Sequence, residues 1–132
     1  MVELDILPQC DDETLPEHSA LQEVANLVII GARKIGRPYR TTLELQAMME
    51  QAGFTDIKRT SYRCPSNGRW PKDALFKRRG YFLFQALESG FDSLLRKMLC
   101  EQFRWPRQDV EHLLFRARRE LADPTIHAYF QA

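Results

Sequence analysis

The sequence predicts a mostly α-helical chain with two or three short strands, and three observations carry that expectation. Apolar residues recur every three or four positions through Leu21–Ile35, Phe76–Met98 and Val110–Leu121. Start and stop residues bracket each of these runs. Only three stretches, near residues 2–7, 54–64 and 126–130, read as extended. At 132 residues there is room for one domain and a modest core. The expected organisation is a single domain, 1–132, with a strand–helix–helix–strand portion over 1–64 and a helical region over 65–132.

Val2, Leu4 and Ile6 alternate with Glu3 and Asp5, the period of a short half-buried strand that Pro8 would end. Residues 9–17 are acidic and contain Pro16, so they read as a loop. Ser19 is placed to cap a helix running to about Ile35, with Leu21, Val24, Ala25, Val28 and Ala32 on one face. Leu27, Ile29 and Ile30 give this helix a second apolar face, which asks for a further neighbour. Gly36 and Pro38 break it. Thr41 and Glu44 have the spacing of a capping box, and Gly53 suits the left-handed residue after a helix.

Phe54–Cys64 reads as a strand and Pro65–Gly68 as a turn. Pro71 fits the first turn of a long helix reaching about Phe103, in which Gly80 and Gly90 imply a kink, a close helix contact or a division into two helices. Trp105-Pro106 starts the last helix, whose stripe of Val110, Leu113, Leu114, Ala117 and Leu121 is the cleanest in the chain. Asp123-Pro124 ends it, and Ile126–Phe130 is expected to be extended.

Hydrophobic residues at 44% and charged residues at 28% fit an ordinary folded protein. No run of about 18 apolar residues is available for a membrane helix. Glu3 and Asp5 without a basic stretch give no secretory signal. Cys10, Cys64 and Cys100 lack metal-type spacing and are expected to be reduced thiols in an intracellular compartment, cytoplasmic or nuclear. The net charge of +1 conceals an asymmetry. Seven acids and no Lys or Arg precede Ala32; all 19 bases and the other 11 acids follow, a balance of +8. The ordinary expectation is that the acidic part packs against or screens the basic one.

No Gly-rich loop follows a strand and opens a helix, and Gly31–Gly36 lies at the wrong end of its helix to cradle a nucleotide. His18, His112 and His127 are too scattered for a metal set, and no serine sits in a nucleophile elbow. Lys77, Arg78 and Arg79 adjoin Tyr81 and Phe82, a mixture able to grip phosphates and stack a base. Arg116, Arg118 and Arg119 lie off the apolar stripe of the last helix. Solvated helix faces are the ordinary use of both clusters, with nucleic acid the weaker reading. His127 beside Tyr129 has the chemistry of an acid, base or substrate contact, against the commoner role of a structurally satisfied histidine. Trp70 and Trp105, each followed by Pro, read first as helix-start anchors.

In order along the chain stand Val2-Glu3-Leu4, Asp11-Asp12 with Thr14-Leu15-Pro16, and Ser19-Ala20-Leu21. Gly36-Arg37-Pro38-Tyr39, Ala52-Gly53-Phe54 with Asp56-Ile57, Trp70-Pro71-Lys72-Asp73 and Ile126-His127-Ala128-Tyr129 follow. This series resembles the C-terminal portion of fungal class I S-adenosylmethionine-dependent methyltransferases of secondary metabolism, both regulators and tailoring enzymes. The resemblance implies a C-terminal fragment of a Rossmann-like fold, with residues 1–64 a remnant of its α/β part and 65–132 a helical substrate cap. It implies S-adenosylmethionine as the family's cofactor, while no position here matches the family's cofactor residues. The chain is expected to begin at the family's fifth strand, to stop before its final strand, and to be inactive alone. By the same analogy Tyr39, Trp70, His127 and Tyr129 would wall a pocket for a small-molecule substrate. Two alternatives stand beside this: a non-catalytic module that partners a full-length methyltransferase or itself through the apolar face of 19–35, and a cofactor-independent pocket protein or cyclase.

Overall fold

The last helix organises the core. In the computed structural model, which describes residues 3–132, α4 spans Arg107–Ala122 and starts after Pro106, as the sequence predicts. Its stripe of Val110, Leu113, Leu114, Ala117 and Leu121 is wholly buried. Helix α1, Ala20–Lys34, packs along it and contributes Ala20, Leu21 and Val24 to the same cluster. Each fully buried Leu or Val here contributes about 1.5–3 kcal/mol relative to exposure. The N-terminus of α1 is closed twice. Ser19 Oγ accepts from the Gln22 N–H at 3.3 Å. Glu120 reaches across from α4, and its carboxylate accepts from the Ser19 hydroxyl at 2.7 Å, the Ala20 N–H at 2.8 Å and the Leu21 N–H at 3.1 Å. A carboxylate at this pole satisfies orphan amides and complements the helix dipole.

Helix α2, Thr42–Gln51, carries both halves of the Thr41–Glu44 capping box and ends at Gly53, whose φ is 92°. None of its residues is buried. Helix α3, Ala74–Gly90, begins three residues later than Pro71 implied, because Asp73 is the cap: its carboxylate accepts from the Leu75 and Phe76 N–H groups. The helix runs on through two π-helical turns, Phe91–Leu95 and Met98–Gln102. Phe91, Leu95 and Leu99, four residues apart and so on one face, all reach the core. Gly80 is the close contact anticipated, since a Cβ there would lie 2.2 Å from the Asn67 carbonyl oxygen. Around Gly90 the space is open.

Strand β1, Arg63–Pro65, pairs antiparallel with β2, Tyr129–Gln131, placing Cys64 opposite Phe130. The expected strand over 54–64 is therefore corrected to a short pairing at its end. Through 55–60 only Ile57 is even half-buried, so most of that segment has neither an apolar face nor a partner. The expected N-terminal strand is corrected too, and Val2 lies outside the described residues. Residues 5–9 run along the other edge of β2, with Asp5 N–H donating to Gln131 and Gln9 bridged to Tyr129, but form no regular strand. The Asp5 side chain takes the Leu7 N–H, and Pro8 has none to give, so the ladder is interrupted. The C-terminal extended segment is likewise regular only from Tyr129. Among the described residues no helix is long and apolar enough to cross a membrane, and the three cysteines are free.

Candidate functional site

A cleft of about 390 Å³ opens where the acidic loop, β1, the approach to α3 and β2 converge. Loop 10–14 is pinned there by its own polar groups. Asp12 accepts from the Thr14 hydroxyl at 2.8 Å and from the Cys10 thiol at 3.1 Å. Thr14 Oγ1 in turn accepts the His127 backbone N–H at 2.8 Å. This brings the His127 ring to Asp12, with Nδ1 2.5 Å from Oδ2.

Bonds from His127, Thr14 and Cys10 hold the Asp12 carboxyl well below the usual carboxylate range. It is ionised at neutral pH and can only accept, so Nδ1–H donates to it. In the neutral ring that tautomer leaves the lone pair on Nε2, and no described group hydrogen-bonds to that nitrogen. Trp70 lies against the imidazole, ring centroids 5.2 Å apart and tilted by 34°. An imidazole oriented by a carboxylate and backed by an aromatic face has the arrangement of a proton acceptor.

Beside it, the Tyr129 hydroxyl donates to Asp11 at 2.8 Å, and Arg63 binds the other oxygen of that carboxylate at 2.6 Å. The Arg63 guanidinium also sits 4.6 Å from the Tyr129 ring centroid. The bond to Asp11, and then burial, push the Tyr129 hydroxyl above its ordinary value, so it remains a neutral donor. Phe76 completes the apolar wall. Trp70 Nε1 is buried without a hydrogen-bond partner.

Three of the four residues expected around a pocket, Trp70, His127 and Tyr129, thus line one cleft. Tyr39 does not. Its hydroxyl donates to Asp5 at 2.6 Å, tying the segment before α2 to the N-terminal segment, and burial followed by that bond pushes it up to about 12. Asp11, Asp12, Arg63 and Phe76 were not foreseen as site residues. Asp12 and His127 stand 115 residues apart, and no spacing rule connects them. Among the described residues no three or more His, Cys, Asp or Glu are grouped to hold a metal ion.

A regulator of secondary metabolism, LAE1, from Cochliobolus heterostrophus is 32% identical to this chain over 129 residues, 97% of the chain and 42% of the relative. A probable methyltransferase, tdiE, from Emericella nidulans is 27% identical over 98% of the chain and 41% of its own length. The methyltransferase pytC from Aspergillus terreus is 28% identical over 91% of the chain and 37% of its own length. The chain is homologous to fungal secondary-metabolism regulators and methyltransferases. It spans about two fifths of the length of these relatives. No family model and no solved structure matches it.

The homology implies a methyl donor for the family. Among the described residues the glycines with positive φ and the N-termini of α1–α3 offer no free cradle for it, while the N-terminus of α4 has no side-chain cap. The two glycines with positive φ, Gly36 and Gly53, follow helices rather than opening them after a strand. The N-termini of α1, α2 and α3 are already filled by Glu120, Glu44 and Asp73.

Proposed function

We propose that this chain is the substrate-side, C-terminal part of a methyltransferase-type protein of fungal secondary metabolism, a portion of a Rossmann-like fold with its helical cap, and that its cleft holds a small metabolite. The observation that carries this reading is the meeting of Trp70, His127 and Tyr129 at one cleft in a homologue of such proteins. Trp70 and Phe76 suit a planar apolar body, and Tyr129 supplies a neutral donor. His127, oriented by Asp12, takes a proton from an acidic O–H or N–H. Methyl transfer itself is not assigned to these residues.

Two titrations test the reading. With S-adenosylmethionine no binding heat is expected; micromolar binding would place a cofactor site within this chain and overturn that part of the proposal. With planar hydroxylated aromatic compounds, NMR shifts should concentrate at the Trp70 indole and His127 imidazole and vanish in His127→Ala. Shifts elsewhere, or none, reject the cleft as the pocket.

A second reading, an interaction module, draws support from Ile30 and Ile35, 47% and 55% exposed on and just beyond α1, and from Leu94 at 62%. Association with itself or with a full-length methyltransferase should then appear in size-exclusion chromatography with light scattering. A monomer that ignores the methyltransferase counts against it.

A further inference from the structure

The acidic N-terminal part neutralises two of the bases, Asp11 pairing with Arg63 and Glu23 with Arg116. Asp92, within the basic part, pairs with both Arg96 and Arg118. Lys77, Arg78 and Arg69 have no carboxylate within ion-pair distance among the described residues. These three cations line a single groove of about 680 Å³ between the 67–69 segment and α3, and no Asp or Glu lines it. The groove is separate from the cleft: Phe76 faces the latter, while Lys77, Arg78 and Tyr81 face the former.

Two further features distinguish this groove from a solvated helix face. Tyr81 and Phe82 line it and are 57% and 58% exposed, their rings edge to face at 5.5 Å. A face built only for solubility has no use for two open rings beside unpaired cations. The floor is also rigid. The buried Asn67 side chain donates to the Leu121 and Asp123 carbonyls, and backbone meets backbone at Gly68 and Gly80. The three cations are therefore presented from a rigid floor beside two exposed rings, with Arg69 also donating to the Ala122 carbonyl and the Arg78 guanidinium 6.0 Å from the Phe82 ring centroid.

We propose that this groove binds single-stranded nucleic acid, with Arg69, Lys77 and Arg78 on phosphates and Tyr81 and Phe82 against unpaired bases. Cations alone would serve any polyanion; the rings select one whose planar faces are open, which a duplex does not offer. An acidic peptide uses the cations and leaves the rings idle. A membrane surface calls for rings on a convex edge rather than rings lining a groove.

Fluorescence anisotropy of the intact chain with a labelled 12-nucleotide oligothymidylate tests the proposal. Binding is expected, with log K falling against log salt at a slope of about −2 for three phosphate contacts. Tyr81→Ala/Phe82→Ala should weaken it about tenfold or more at an unchanged slope. Lys77→Glu/Arg78→Glu should abolish it, while Lys97→Glu/Arg104→Glu, on another exposed stretch, leaves it intact. All four sites of the first two variants are exposed, so circular dichroism should stay native. No binding overturns the proposal. So does equal affinity for duplex or for polyglutamate, affinity untouched by loss of the rings, or capture by anionic phospholipid vesicles but not by the oligonucleotide.

Discussion

Helices α4 and α2 are both clearly signalled, yet they occupy opposite ends of the energetic scale. In α4 every residue of the apolar stripe is buried, and the start is set by Pro106 with no side-chain cap. In α2 both halves of a capping box are made and no residue is buried, with Leu43 65% exposed. Capping reports local closure of the backbone, worth about a kcal/mol, whereas a complete apolar stripe reports membership of the core, worth several. The two signals should therefore be read for different things. The contrast can be broken or sharpened by substitution.

The largest effect is expected at Leu114, which has no exposed surface. Leu114→Ala should cost about 2–5 kcal/mol through lost burial and the cavity left behind. Urea unfolding followed by circular dichroism measures it; a loss below 1 kcal/mol would mean that the α1–α4 contact is not the core. Next comes Glu120, which caps α1 from α4. Glu120→Ala leaves the Ala20 and Leu21 amides without that acceptor and should cost about 1–2 kcal/mol, with Glu120→Gln milder because an amide oxygen still accepts. Hydrogen exchange should place the damage in the first turn of α1.

How much of this was legible follows the same division. Periodicity within one helix needs no knowledge of the fold, so α1, α4 and the continuous run through α3 could be read directly, as could the Ser19 and Thr41 caps. Strands needed partners. The segment over 54–64 has strand-like composition, but only its end finds β2, and Asp5 and Pro8 interrupt the other edge. Glu120 on Ser19 and Asp12 on His127 are joined across 101 and 115 residues, beyond any local signal. Resemblance grouped Tyr39, Trp70, His127 and Tyr129; the last three line one cleft while Tyr39 bonds to Asp5, because order along a chain does not fix which cavity a ring faces.

The cleft loop gives a smaller, pH-dependent effect. Asp12 in the folded chain titrates below its unfolded value of about 3.9, so its contribution is complete above that pH and is lost as pH falls toward the folded value. Stability of the native chain should decline below about pH 4, and part of that decline should disappear in Asp12→Asn, which has no carboxylate to protonate. Parallel profiles for the two proteins would show that the loop is not coupled to folding. At the alkaline end Tyr39 provides a counterpart: absorbance near 295 nm should show one tyrosine ionising at about 12, absent in Tyr39→Phe.

The smallest effect is expected at the best-formed cap. Thr41→Ala removes the acceptor for the Glu44 N–H and the hydroxyl that donates to the Glu44 carboxylate, which is held below its ordinary range chiefly by the Thr41 backbone N–H. In an isolated helix this would cost about 1 kcal/mol. Here α2 contributes no buried side chain, so it can fray while α1 and α4 remain packed. The substitution should speed amide exchange across 42–51 about fivefold and move the global unfolding midpoint little. If the midpoint instead falls as far as it does for Glu120→Ala, then α2 folds with the core, and its exposed Leu43 and Met48 would have to matter to global stability in a way their surroundings give no reason to expect.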